Sequence, residues 1–463
     1  MNLLKTKLGR LVAFGGLYLS EGLPQGFTGV ALALEFKRRG MDAAALGAFA
    51  GTILLPWSWK FLMGPLVDNL YFKRFGARKQ WIVMAQVGML LTLCLAMFNL
   101  PVFEASGEVV GLSLFTVLLV IHNVFAATQD VAIDALACSV LKKSERGLAN
   151  GVMFGAATAG QALGGSGVIF LKGRLESFET SAFIVPLLLA GVLTMVITSI
   201  CEKSAAEEMA DGELLSAEDD PKHDSDDKVA AQIYAYSVTV FKTFFLTRRG
   251  FLGMVLALLP FGGMAISMTV STILTPSLGM SDDEIAFMGL VGTLLFVPFC
   301  LLGGWLSDRF DRRVILSICC VLSVVPGLWM AQQLGQAGWE YMPEGVDGVW
   351  ERNESLIQSW WIASMVFSVF FGLLYGIKSA FFMDIVNPKI AGTHFTAMMA
   401  MSNLVIAYTY YWEGKALGSV ESGGWGWTNS TIFLVDSIFG CAFLLVIPFV
   451  KPRQISDEDL PDL

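Results

Sequence analysis

Apolar stretches of about 20 residues recur along the whole chain, separated by short clusters of Gly, Pro, Asp and basic residues. At about 1.5 Å per residue, each stretch is long enough as a helix to cross roughly 30 Å of hydrocarbon. Twelve spans are predicted, at about 11–35, 45–70, 81–100, 109–140, 147–171, 182–201, 250–275, 284–307, 313–334, 359–386, 393–417 and 429–450. Lipid offers no partner for backbone amides and carbonyls, so spans of this length are read as helices. The predicted fold class is an all-α polytopic membrane protein with about 12 transmembrane helices.

Composition strengthens this reading. Hydrophobic residues make up 55% of the 463 positions and charged residues 15%, with a mean hydropathy of +0.62. A water-soluble surface of ordinary charge density cannot be assembled from such a chain. With the N-terminus in the cytoplasm, 22 of the 31 Lys and Arg fall on the cytoplasmic side and seven outside, while Lys60 and Lys378 lie within the membrane. The positive-inside rule then sets both termini in the cytoplasm, for a protein of the inner or plasma membrane. Lys5, Lys7 and Arg10 precede the first apolar run, but Ser20, Glu21 and Pro24 interrupt it where a signal peptide needs its core, so it is read as the first span.

The net charge of −9 is local, since residues 202–228 hold eleven Asp or Glu against three Lys. Such a segment is solvated and unpacked. It divides the spans six and six, giving an N-terminal six-helix bundle at 1–201, an acidic cytoplasmic linker at 202–249, a C-terminal bundle at 250–450 and a cytoplasmic tail at 451–463. The seven cysteines all fall in spans or at their cytoplasmic ends and form no CxxC pattern or disulfide framework. No metal, cofactor or nucleic-acid partner is expected, and a monomer in the lipid bilayer is the default.

A repeat follows the second and eighth spans. Gly64-Pro65-Leu66-Val67-Asp68, with Lys73, Arg74, Arg78 and Lys79 beyond it, parallels Gly304-Trp305-Leu306-Ser307-Asp308-Arg309 with Arg312 and Arg313. Glycine permits close helix approach, the aspartate can cap or pair, and the basic cluster marks the cytoplasmic face. Both loops resemble the G-x-L-x-D-R-x-G-R-R loop of the major facilitator superfamily. The second is the fuller match, and the first has Asn69 in the arginine position. The resemblance implies two six-helix bundles with inverted repeats, alternating access, and a gating role for Gly64, Asp68, Arg78, Gly304, Asp308, Arg309, Arg312 and Arg313. A narrower resemblance, to the AmpG-type muropeptide permeases, is carried by Trp59-Lys60-Phe61-Leu62-Met63-Gly64-Pro65-Leu66-Val67-Asp68, Thr128-Gln129-Asp130-Val131-Ala132-Ile133-Asp134-Ala135 and Glu145-Arg146-Gly147. Asn387-Pro388 and Gly392-Thr393-His394-Phe395-Thr396-Ala397 add to it.

Charges inside a membrane cost about 2.5–3.5 kcal/mol each at a helix centre, so each is a candidate functional group. Glu21 falls in the first span, Lys60 in the second, His122, Asp130 and Asp134 in the fourth, and Lys378 in the tenth. The resemblance implies that the first, fourth, seventh and tenth spans line a central cavity, where five of these six residues fall. His122, Asp130 and Asp134 are spaced by multiples of four and share one slowly drifting helix face. Glu21, Lys60, Asp130 and Lys378 lie about eight to ten residues from the cytoplasmic ends of their spans, roughly 12–15 Å deep, and are expected to meet in one layer. Asp130 or Glu21 is then a proton acceptor and a lysine its partner or the partner of an anionic substrate. Against this stands a structural role, in which Lys60 with Asp130 and Lys378 with Glu21 are ion pairs that lock the helices. Gln25, Gln129 and Gln161 offer amides suited to sugar or peptide substrates.

The leading expectation is a secondary active transporter, coupled to protons, importing a polar or amphiphilic metabolite such as an anhydro-muropeptide. Siderophore or acyl-coenzyme A-type cargo is the alternative within transport. A non-transporting membrane receptor or sensor, with the acidic linker as its signalling element, is the alternative of another class. An intramembrane enzyme is not expected, since the chain has no HExxH or GxSxG motif and no paired His-Asp metal spacing.

Overall fold

Several helices of this chain begin where a side-chain oxygen takes up a free amide of the first turn. Thr6 accepts from the Gly9 amide, Asp42 from Ala44, Thr247 from Gly250, Asp311 from Arg313 and Thr428 from Thr431, each cap contributing about 1 kcal/mol. A computed structural model describes residues 2–63, 67, 76, 78–103, 109–141, 146–202, 244, 247–307, 309–339, 352–385, 391–421 and 423–450. Most of the acidic linker and the C-terminal tail lie outside the described residues.

All twelve spans are helical, eight of them on helices long and apolar enough to cross a membrane among the described residues. The first comprises Lys7–Gly26, a π-turn at Phe27–Leu32 and Ala33–Arg38; the second runs over Ala43–Ser58. Lys79–Met97, Leu112–Val140, the fifth span from Arg146 to Leu175 with its own π-turn at Leu163–Gly167, and Ile184–Ser199 complete the first half. The second half holds a broken seventh span, then Asp282–Ser307, Arg312–Gln336, Glu354–Ile385, Ala391–Leu417 and Asn429–Gly440, the last prolonged by two 3-10 turns to Phe449. A two-residue β-ladder, Val102–Phe103 with Val109–Val110, joins the third and fourth spans. Within the halves the first span packs on the fifth and the eighth on the tenth. Between them the second span lies along the eleventh and the fifth meets the eighth.

The glycines of the fifth span form a close-packing seam with the first. A Cβ at Gly164 would collide with the backbone carbonyl of Leu23, and one at Gly22 with that of Ala157. Backbone atoms cannot swing aside, so overpacking there costs about 1–3 kcal/mol or more. Gly164→Val is therefore expected to lower the melting temperature and broaden the gel-filtration peak. Gly167→Ala, whose new carbon would meet only the Ala162 carbonyl at 3.6 Å, should leave both unchanged.

The seventh span departs from expectation. In place of one helix over 250–275, it is split into Arg248–Ala257 and Thr269–Ser277. The sequence Leu258-Leu259-Pro260-Phe261-Gly262-Gly263 explains the break: Pro260 lacks an amide and its ring clashes with the preceding turn. Gly262 has φ +85°, a left-handed conformation glycine enters without steric penalty. Freed amides inside a membrane need partners, and the twelfth span supplies one: Asp436 Oδ2 accepts from the amides of Met264 at 2.7 Å and Ala265 at 2.9 Å.

Candidate functional site

The fourth span carries Asp130 and Asp134 one turn apart, and the second ends in a 3-10 turn, Lys60–Leu62, that turns Lys60 toward it. Lys60 Nζ donates to Asp130 Oδ2 at 2.6 Å, with both side chains largely buried. The Lys60 ammonium also feels the charges of Asp134 and Glu21, so one cation serves three carboxylates. Asp134 Oδ1 accepts from the Tyr18 hydroxyl at 2.7 Å. Tyr18 lies on the first span, nearly one turn before Glu21. Glu21 itself is buried, and its Oε1 has no hydrogen-bond partner.

Polar side chains knit the helices around this cluster. Ser20 Oγ accepts from Gln86 at 3.2 Å and from Gln129 at 3.1 Å, and donates to the Leu17 carbonyl. Gln161 donates to Gln25 across the first and fifth spans at 2.9 Å, and Gln161 is exposed. Trp57 donates to Asn123 at 2.7 Å, while Asn403 of the eleventh span donates to the Trp57 carbonyl at 3.3 Å.

An aromatic bridge connects the halves. Tyr18 meets Phe154 edge-on at 6.2 Å, and Phe154 meets Tyr375 of the tenth span in the same manner, also at 6.2 Å. Lys378 Nζ sits 4.9 Å from the Tyr375 ring centroid and 5.6 Å from that of Phe261 in the seventh-span break. A desolvated cation over such rings gains about 2 kcal/mol, yet no carboxylate neutralises it among the described residues. The expected pairing of Lys378 with Glu21 is thus not formed. The layer of two acids and two bases becomes an acidic cluster with Lys60 in one half and a ring-bound Lys378 in the other.

One further expectation is corrected. His122 does not share the space of Asp130 and Asp134: it is fully buried, with Nδ1 3.0 Å from the Met89 carbonyl, in the seam between the third and fourth spans. Spacing by eight residues lets a straight helix drift by about 80°, enough to turn it away. Gln129 is fully buried and stays with the cluster, hydrogen-bonded to Glu21 as well as to Ser20.

Of the loop residues, Gly64, Asp68 and Asp308 lie outside the described residues. Arg78 stands at the start of the third span, where the amides of Arg78 and Lys79 donate to Glu202 Oε2 at 3.0 and 2.8 Å. A carboxylate there meets both the free amides and the helix dipole; sequence reasoning assigned Glu202 only to the linker. Arg309 lies over the Trp305 ring at 4.5 Å, and Arg312 donates to the Ser307 carbonyl. Arg313 pairs with Asp311, which it holds below the usual carboxylate range. The eighth span carries Gly304 beside Gly376 of the tenth, where a Cβ on Gly376 would reach the Gly304 amide at 3.0 Å.

At the face opposite the termini, ion pairs cross between the halves. Arg38 contacts Asp282 Oδ1 at 2.6 Å and donates to the Met280 carbonyl at 3.0 Å. Lys172 bridges Glu35 at 2.8 Å and Asp282 Oδ2 at 3.2 Å, and Arg39 links Glu35 to Glu179. These charges were read from the sequence only as external-loop residues.

Known proteins agree with this architecture. The solved D-xylose-proton symporter superposes with a TM-score of 0.67 over 96% of this chain and 97% of its own, at 13% identity, which speaks to fold alone. A Rickettsia felis protein provisionally named transporter AmpG 4 is 25% identical over 332 residues, 68% of this chain and 73% of that protein. An uncharacterised Haemophilus influenzae protein is 29% identical over 140 residues, 30% of this chain and 31% of its own length. That match spans less than a third of the Haemophilus protein, and a match to a Rickettsia conorii relative spans 45% of it. The sequence profile of the Major Facilitator Superfamily matches residues 14–410. Twelve spans in two packed halves, with charges buried inside them, thus belong to a membrane transporter, and the chain is a member of the Major Facilitator Superfamily.

Proposed function

We propose that the chain is a proton-coupled secondary importer of a polar or amphiphilic metabolite, with an anhydro-muropeptide as the leading substrate and both termini in the cytoplasm of an inner or plasma membrane. The observation that carries this reading is the charge imbalance around Lys60: one ammonium faces Asp130, Asp134 and Glu21, and Glu21 keeps an unpartnered buried oxygen. Charge left unpaired at low dielectric is costly, and a proton taken up by this cluster relieves it. The Rickettsia felis relative's name supports the substrate class.

In this mechanism Lys60 shifts its partnership as the cluster gains a proton, since a neutral Asp130 no longer holds it. The freed ammonium and the ring-held Lys378 then present two cations to a substrate carboxylate from opposite halves. The exposed amide of Gln161, with Gln25, offers donors and acceptors for sugar or peptide groups. Binding across both halves draws them together, which is how substrate occupancy favours the change of access.

Labelled anhydro-muropeptide should accumulate in proteoliposomes under an imposed inward proton gradient, and Asp130→Asn should abolish gradient-driven uptake. No uptake by folded native protein would sink the muropeptide assignment and turn the search to siderophores and acyl carriers.

A further inference from the structure

The proton site proposed above lies in the first half. The second half buries two carboxylates of its own, Glu413 on the eleventh span and Asp436 on the twelfth, 0% and 3% exposed. Both reach the break in the seventh span. Asp436 Oδ2 accepts two short bonds from the Met264 and Ala265 amides, and Glu413 faces the Thr269 and Val270 amides, with a long bond of 3.3 Å from Val270 to its Oε2. Glu413 Oε1 is buried with no hydrogen-bond partner at all. Neither carboxylate has an ion pair among the described residues.

Two ionised carboxylates braced on one seven-residue stretch, without a cation, would repel each other at low dielectric. The geometry separates their roles. Two amides aimed at one oxygen of Asp436 stabilise a negative charge there, as amides at a helix start do. Glu413 meets the Thr269 and Val270 amides, the Val270 bond long at 3.3 Å, and its Oε1 is bare, so a proton on that oxygen is what removes the second charge. We propose that Glu413 is a second proton-binding site, with ionised Asp436 as its counterpart, and that its proton holds the seventh-span break in the form observed.

The surrounding groups bear this out. The residues of the break, Leu258 to Met268, include nothing that titrates. The eleventh span presents Tyr408, whose hydroxyl donates to the Leu258 carbonyl at 2.9 Å, and Tyr410. From the ninth and twelfth spans come Cys319, Cys320 and Cys441, with Cys320 Sγ donating to the Gly440 carbonyl. The tenth contributes Tyr375 and Lys378, and the lysine touches the break only through the Phe261 ring. When Glu413 loses its proton, a second charge arises beside amides already committed to Asp436, and the segment carrying Phe261 must rearrange. Lys378 rides on that ring, so the site is wired to the opposite side of the break.

Infrared spectra of the full-length protein in lipid, recorded across pH without substrate, test this directly. The native protein should show the carbonyl stretch of a buried carboxylic acid, lost in Glu413→Gln, moved in Asp436→Asn and retained in Asp130→Asn and Glu21→Gln. A band that persists in a folded Glu413→Gln protein overturns the proposal. If that variant fails to fold, Glu413→Asp keeps the acid and must shift the band, and an unchanged band overturns the proposal equally. Because no substrate is used, failure of muropeptide uptake leaves this result standing. Conversely, gradient-driven uptake with no Glu413 band would retain the Lys60 cluster and remove the second site.

Discussion

Replacing Lys60 with Met is expected to destabilise the protein by about 3–5 kcal/mol, because it strands Asp130 as an uncompensated buried charge. The pair is short and its side chains are 12% and 9% exposed, so solvent relieves little of the cost. Lys60→Met should therefore lower the melting temperature in detergent more than any substitution at Arg352, whose pairs with Glu284 and Glu354 are more exposed and screened by solvent. The double variant Lys60→Met, Asp130→Leu separates structure from function. A buried ion pair replaced by apolar residues of similar volume is often neutral or stabilising, so thermal stability should return. Gradient-driven uptake should not. A double variant that recovers stability and transport together would reduce the pair to a helix lock.

This distinction was open in the sequence for a physical reason. Spacing placed Asp130 and Asp134 on one helix face, and depth counting brought Lys60 near Asp130; the structure forms that contact. Depth alone could not say which partner each charge takes, because partner choice depends on helix rotation and on the end of the second span, where the chain passes into a 3-10 turn at Lys60. Lys378 shows the same limit: its level was legible, but its resting place over Tyr375 and Phe261 depends on the seventh-span break. That break had a signal, the proline and paired glycines at 260–263, outweighed by the length of the apolar run. Tyr18 had no signal of its own, since a tyrosine near a helix face reads as packing until its hydroxyl is found on Asp134.

Asp436 and Glu413 lie on the twelfth and eleventh spans, outside the four that the resemblance sets around the cavity, yet the same break draws both in. A broken helix exports its unpaired amides to whichever neighbour can reach them. The carboxylates that answer need not face the central space, and they remain coupled to it through the segment they hold. Position on an outer span is therefore weak grounds for excluding an intramembrane acid when the adjacent span contains Pro and Gly-Gly.

Asp282→Lys is expected to open the face opposite the termini, because one substitution converts two attractions between the halves, to Arg38 and Lys172, into repulsions. The groups are partly exposed, with side chains 29%, 27% and 23% exposed for Arg38, Lys172 and Asp282, so each contact is worth no more than about 1 kcal/mol. Reversal counts the attraction lost and the repulsion gained, and about 1.4 kcal/mol moves an equilibrium tenfold. Ser166 of the fifth span sits across from Gly289 of the eighth, where a Cβ would meet its hydroxyl oxygen at 2.5 Å. A cysteine at position 166, in a background without the native cysteines, reports on this seam. Its maleimide labelling should quicken roughly tenfold in Asp282→Lys. The gain should shrink in high salt, which screens charges at partly exposed sites. Adding Arg38→Asp, which leaves the Lys172 pair with Glu35 in place, restores the opposite charge at the shorter contact across the seam and should slow labelling back toward its starting rate. Labelling that stays fast in the restored protein would mean that the apolar contacts of the second span with the eleventh, and not these ion pairs, hold the face closed.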